Sequence, residues 1–183
     1  MEEPHGGEVR AGVEDGGSSG LERTLHRYIF HVGTRTRGMQ YDSVLIATDG
    51  SEQATDAASH ACDLARRHDA TLHAVFAMDT ENPDLGDAVE TDAIRAELEE
   101  HGETALEAVA EVAAAHDVEL ETTLLEGEPF DAVLTYVEEN DVSVIVVGRR
   151  GRSENLRVLL GSTADSILRH SSVPVFVCPR TPG

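Results

Sequence analysis

The sequence predicts an α/β domain, a three-layer open sandwich on a five-stranded parallel sheet. Runs rich in β-branched residues recur five times between Tyr41 and Pro179, and stretches with helical spacing of apolar residues separate them. The fourth run, DVSVIVVG (141–148), is apolar on both faces, as a strand covered from two sides must be. Strands that alternate with helices pair in parallel through right-handed crossovers, which places helices on both sides of the sheet.

The elements follow in order. Residues 1–20 are Gly, Glu and Ser with little to bury, which predicts disorder. Residues 21–38 carry four arginines and one glutamate and read as a flexible leader, so 1–38 is expected to be an extension and 39–181 the domain. Met39, directly before the first strand, is an alternative start of the expressed chain. DSVLIATDG (42–50) is a strand ending in an Asp-Gly turn, and EQATDAASHACDLARRH (52–68) is a helix with Ala57, Ala58, Ala61, Leu64 and Ala65 on one side. TLHAVFAM (71–78) is the second strand, and a long helix follows from about Val89 to Ala115. VELETTLLEG (118–127) is the third strand, and PFDAVLTYVEEN (129–140) is a short helix with Pro129 in its first turn. After the fourth strand, TADSILRHS (163–171) is the last helix and VPVFVCP (173–179) the last strand.

Composition narrows the function. There are 35 Asp and Glu against 14 Lys and Arg, no lysine at all, and a formal charge of −21. Such a charge repels a nucleic-acid backbone and an anionic bilayer, which excludes both as general partners. It also suggests the salt-rich cytoplasm of a halophilic archaeon, where ionic screening relieves the self-repulsion. No apolar run approaches the ~20 residues of a membrane span, and MEEPHGGEVR is no signal segment, so a cytoplasmic protein is expected. Cys62 and Cys178 lie far apart without metal or disulfide spacing and read as small buried hydrophobes.

One stretch breaks the acidic pattern. GRRGRSENLRVLLGST (148–163) holds four arginines and one glutamate, whereas 79–141 holds 21 acidic residues and one arginine. Gly148 and Gly151 permit positive φ and the approach of a ligand to backbone N–H groups. Gly161-Ser162-Thr163 opens a helix, whose N-terminus favours an anion. Arg149, Arg150, Arg152 and Arg157 offset the protein's own field where an anionic ligand would sit. The same residues also suit a tight turn followed by an ordinary helix cap. Ligands of open α/β sheets bind beyond the carboxyl ends of the strands where strand order reverses. The loops after the first and fourth strands would meet there if those strands are neighbours.

Gly148, two residues, Gly151, nine residues and Gly161-Ser162 reproduce G-x2-G-x9-G-[ST], the signature of the universal stress protein family. YDSVLIATDGSEQA resembles the family's opening, and HSSVPVFVCP its ending. The resemblance runs from Met39 to Arg180. It implies a Rossmann-like fold related to the adenine nucleotide alpha hydrolases, and membership of the ATP-binding branch, with ATP, ADP or AMP as ligand. It places the phosphates on Gly148, Gly151, Gly161, Ser162 and Thr163, with Arg149 and Arg150 between the first two glycines. Val147 would line the base pocket, Ala47, Thr48 and Asp49 would flank the adenosine, and Ala77 would meet the adenine edge. Arg150 departs from the family, where His or a small polar residue is usual.

Asp49 has two readings: a turn and helix cap, or a ligand group near ribose or phosphate. Facing the phosphates would require Mg²⁺ between the anions. No carboxylate besides Asp49 is expected in the cleft, so no general base for hydrolysis can be named. The histidines lack metal spacing, and His101 and His116 are expected to border the long helix. The expected function is a nucleotide-dependent stress-response or regulatory module, not an enzyme, with weak hydrolysis at most. The alternatives are a slow Mg-dependent ATPase or phosphotransferase, and a protein-interaction scaffold. The apolar strand at 174–178 predicts a homodimer.

Overall fold

The computed structural model describes residues 40–80, 91–151 and 160–179. The leader 1–38, Val89, Arg152, Arg157 and Arg180 lie outside the described residues. The elements are β1 (Ser43–Ala47), α1 (Glu52–His68), β2 (Thr71–Met78), α2 (Thr91–Ala115), β3 (Leu120–Glu126), α3 (Pro129–Glu139), β4 (Val144–Gly148), α4 (Ser162–His170) and β5 (Val175–Cys178). All sheet pairings are parallel, in the order β3-β2-β1-β4-β5. The predicted α/β class and five-stranded parallel sheet are therefore observed, and the order reverses between β1 and β4.

Strand alternation divides the core into two layers. Val44, Ile46, Leu72, Ala74, Phe76, Val144 and Val146 face α1 and α2. Leu45, Val75, Ile145 and Val147 face α3 and α4. The buried side of α1 consists of Ala54, Ala57, Ala58, Ala61, Cys62 and Ala65, short side chains that let the helix lie close to the sheet. Leu64 is only partly buried against this layer.

Three connections share one device. Asp69, Asp117 and Asp141 adopt positive φ of 55°, 55° and 50° between a helix and the next strand. Aspartate tolerates the left-handed region through local hydrogen bonding, so this acidic chain uses it where glycine is common. The turn at Asp117 also explains why β3 starts at Leu120 rather than at Val118 as expected. The last strand is shorter than expected as well. Pro174 has no N–H and contributes only its carbonyl, which accepts from Ile145 N at 2.9 Å.

Among the described residues, no helix is long and apolar enough to cross a membrane. β5 is hydrogen-bonded to β4 alone and forms one edge of the sheet. Phe176 on that edge strand is 45% exposed and Leu168 on α4 is 49% exposed, the two exposed large hydrophobic residues among those described.

Candidate functional site

The adjacency of β1 and β4 brings their carboxyl ends together, with Ala47 opposite Val147 in register. β1 continues its pairing one step further, because Thr48 N donates to Val75 O at 3.0 Å. The chain then turns sharply. Thr48 Oγ1 accepts from Gly50 N at 3.2 Å, Asp49 Oδ1 accepts from Ser51 N at 3.1 Å, and Gly50 has φ of 78°. Ser51 caps α1, its hydroxyl accepting from Ala54 N at 3.2 Å. Asp49 thus makes the turn, while Ser51, not Asp49, caps the helix.

Across the crevice the glycine loop folds back on itself. Arg149 N donates to Cys178 O at 2.8 Å, and Gly161 N donates to Arg149 O at 2.9 Å. That pair of bonds sets Gly161 beside Arg149, Arg150 and Gly151, so the three glycines predicted to act together do lie together. Gly161 is the N-cap of α4 with φ −65° and ψ 152°, and as a glycine it has no side chain to close the helix. Ser162 and Thr163 occupy its first turn instead of closing it, contrary to the capping alternative.

Gly148 and Gly151 are needed for close approach, not for positive φ as expected. The positive-φ glycines among the described residues are Gly50 and Gly127. A Cβ on Gly148 would stand 3.1 Å from Gln53 O in the first turn of α1. One on Gly151 would collide with the Asp49 carboxylate. The Asp49 side chain therefore spans from its own turn to the glycine loop, so its turn role and its place in the crevice coexist. Among the described residues, Arg149 Nε and Gln53 Oε1 are buried with no hydrogen-bond partner. An unpaired buried guanidinium donor suits an anionic oxygen.

The remaining predicted residues sit as follows. Thr48 is buried, Ala47 and Ala77 are half-buried, and Val147 is buried among the side chains facing α3 and α4. Ala77 lies at the carboxyl end of β2, opposite Leu125 of β3. Asp165, in the first turn of α4, would oppose an anion there, but the Arg169 guanidinium grips it with bonds of 2.7 and 3.2 Å and holds its carboxyl below the usual range.

His101 was not expected here. It lies well inside α2, not at its border, and its Nε2 stands 3.2 Å from Asp49 O. Its neighbour Gly102, a glycine in a helix interior, was the one signal of it in the sequence. For magnesium, the described residues at this end of the sheet offer little beyond Asp49. Its Oδ1 is taken by Ser51 N, and among the described residues no group of three or more His, Cys, Asp or Glu could hold a metal. A cation there would have to be shared with ligand oxygens.

A parallel sheet with its order reversed at β1 and β4, and glycines on the turns that follow those two strands, defines a Rossmann-like α/β domain. Residues 40–179 match the universal stress protein family, and the chain belongs to that family. It is 32% identical to the universal stress protein MJ0531 of Methanocaldococcus jannaschii over 155 residues, covering 84% of this chain and 91% of that protein. Among solved structures, UspA of Lactobacillus plantarum is 25% identical, covering 77% of this chain and 99% of that one with a TM-score of 0.67. A universal stress protein of Archaeoglobus fulgidus in complex with dAMP shares the fold, with 24% identity, 76% and 99% coverage and a TM-score of 0.55.

Proposed function

We propose that this protein binds an adenine nucleotide, ATP, ADP or AMP, in the crevice between β1 and β4 and acts as a nucleotide-dependent stress-response module of the ATP-binding branch. The observation that carries this reading is the N-terminus of α4, whose N-cap is a glycine with no side chain to close it, set against Gly151 and the backbone of Arg149 and Arg150. An anionic phosphate would satisfy the N–H groups of such a terminus. The dAMP complex of a protein with the same fold supports the adenine class. Gly148, Gly151, Gly161, Ser162 and Thr163 would hold the phosphates, Asp49 the ribose or a shared Mg²⁺, and Ala47, Thr48, Ala77 and Val147 the adenosine. Arg149 and Arg150 would supply the local positive charge.

In this reading the protein is a binding module with little turnover. The experiment is acid denaturation of protein purified without added nucleotide, followed by calorimetry with ATP at high salt. Release of adenine-absorbing material or measurable ATP affinity supports the reading, and the absence of both overturns it. Asp49→Asn should weaken affinity without removing a catalytic step. Phosphate release by the parent at roughly 1 per second or faster, abolished in that variant with binding kept, would favour a Mg-dependent ATPase.

The same reading includes a homodimer through 174–178, because β5 is an apolar edge strand with Phe176 exposed. Sedimentation of the full chain and of one beginning at Met39 should give a dimer in both. A monomeric full chain would contradict it. The acidic composition suits a halophilic cytoplasm, where such a pair forms under strong screening.

A further inference from the structure

α2 meets the sheet at a glycine. A Cβ on Gly102 would stand 2.5 Å from Leu124 Cδ2 and 2.8 Å from Phe76 Cδ1. Glycine inside a helix costs about 1 kcal/mol relative to alanine; here it lets α2 approach β2 and β3 closely. His101 and Ala105 share the adjacent helix face, one turn apart. The His101 ring meets Phe76 edge-on, with centroids 5.4 Å apart and planes at 75°. Its Nε2 is 3.2 Å from Asp49 O. A carbonyl only accepts, so this nitrogen is the one that carries a proton and donates.

Gly50 is seated in the same place. A Cβ there would fall 3.1 Å from His101 Cε1 and Nε2 and 3.2 Å from Ala105 Cβ. The 49–50 backbone is thus held from α2 on one side and by the Thr48 hydroxyl on the other.

We propose that His101 is a positioning residue of the nucleotide crevice: by donating to Asp49 O and seating Gly50, it fixes the turn that presents the Asp49 carboxylate to Gly151. Its effect on affinity rests on the nucleotide-binding reading above; its hold on the turn does not. Without the donor, this tie between α2 and the 49–50 turn is lost and the Asp49 carboxylate is held less firmly against Gly151. A nucleotide must then order the turn as it binds, which lowers affinity.

The test uses the full chain with His101→Phe and His101→Gln. Phenylalanine keeps a ring against Phe76 and deletes the donor, whereas glutamine carries an amide N–H to nearly the same point. His101→Phe should bind ATP about tenfold more weakly, the size of one lost hydrogen bond, and His101→Gln should recover most of the loss. In nucleotide-free protein, the amide signals of Gly50 and Ser51 should shift in His101→Phe and return toward the parent in His101→Gln. Parent-like affinity and unmoved amides in His101→Phe would overturn the proposal. If the parent binds no ATP, the binding reading fails and the amide signals alone decide the hold. If His101→Phe does not fold, the imidazole nitrogen signals of the parent decide: a protonated Nε2 supports the proposal and an Nδ1-protonated ring overturns it.

Discussion

Two helix N-termini, α1 and α4, flank the same crevice and are finished in opposite ways. At α1 side chains close the terminus: the Ser51 hydroxyl accepts from Ala54 N, Asp49 accepts from Ser51 N, and Glu52 puts a negative charge in the first turn. At α4 the cap is a glycine without a side-chain bond, and the acidic residue of the first turn is gripped by Arg169. One terminus is closed by a side-chain cap; the other, among the described residues, has a glycine cap beside the backbone of two arginines. On the proposed reading a bound anion sits at α4, and the α1 turn holds the Asp49 carboxylate against Gly151.

The largest expected effect comes from breaking the line where the two regions meet. Gly151→Val places a branched side chain into the Asp49 carboxylate. It should weaken ATP binding by about a hundredfold or more, while circular dichroism shows the fold retained. Parent-like affinity would separate the two loops functionally.

A matched pair of prolines sharpens the comparison. Ser162 and Glu52 are the first residues of α4 and α1, a position that tolerates proline, and the preceding Gly161 and Ser51 are already extended, at ψ 152° and 156°. Ser162→Pro removes one N–H and should cost about tenfold in ATP affinity by calorimetry. Ser162→Ala reports the hydroxyl alone. Glu52→Pro should change affinity by less than about twofold, since the proposed reading seats the phosphates at α4. Equal losses in both proline variants would remove the distinction.

Ser51→Ala is a stability probe. Losing the cap should lower unfolding free energy by about 1 kcal/mol in a denaturant titration and leave a larger share of the ATP affinity than Ser162→Pro does.

The smallest effect, negligible at neutral pH, concerns Cys62. Burial pushes its thiol up from 9.0 to about 11, so it stays protonated in the fold. The folded state then holds a proton that the unfolded chain has released, and stability falls as pH rises from about 9 to 11. Thermal melts across that window should fall less steeply in Cys62→Ala than in the parent.

Much of this was readable before the structure, for physical reasons that differ by residue. The valines of β4 and the alanines of α1 announce their burial through periodicity, so element types and most boundaries follow from local pattern. The spacing of Gly148, Gly151 and Gly161 carries their grouping. Their reason for being glycine does not follow from spacing, because the obstacles, Gln53 O and the Asp49 carboxylate, come from another strand-helix unit. For the same reason Gly102 was the one hint of His101: a histidine in a helix acquires its partner only when that glycine lets the helix settle on β2 and β3. The β1–β4 adjacency is likewise tertiary, and a single chain states it only as a condition.

The most direct test is a titration of ATP into isotopically labelled protein at high salt, following backbone amide signals. Binding at the α4 terminus predicts large shifts at Gly151, Ser162 and Thr163, with Ala54 in the first turn of α1 moving little. No movement at Ser162 and Thr163, or a larger response at α1 than at α4, would contradict it.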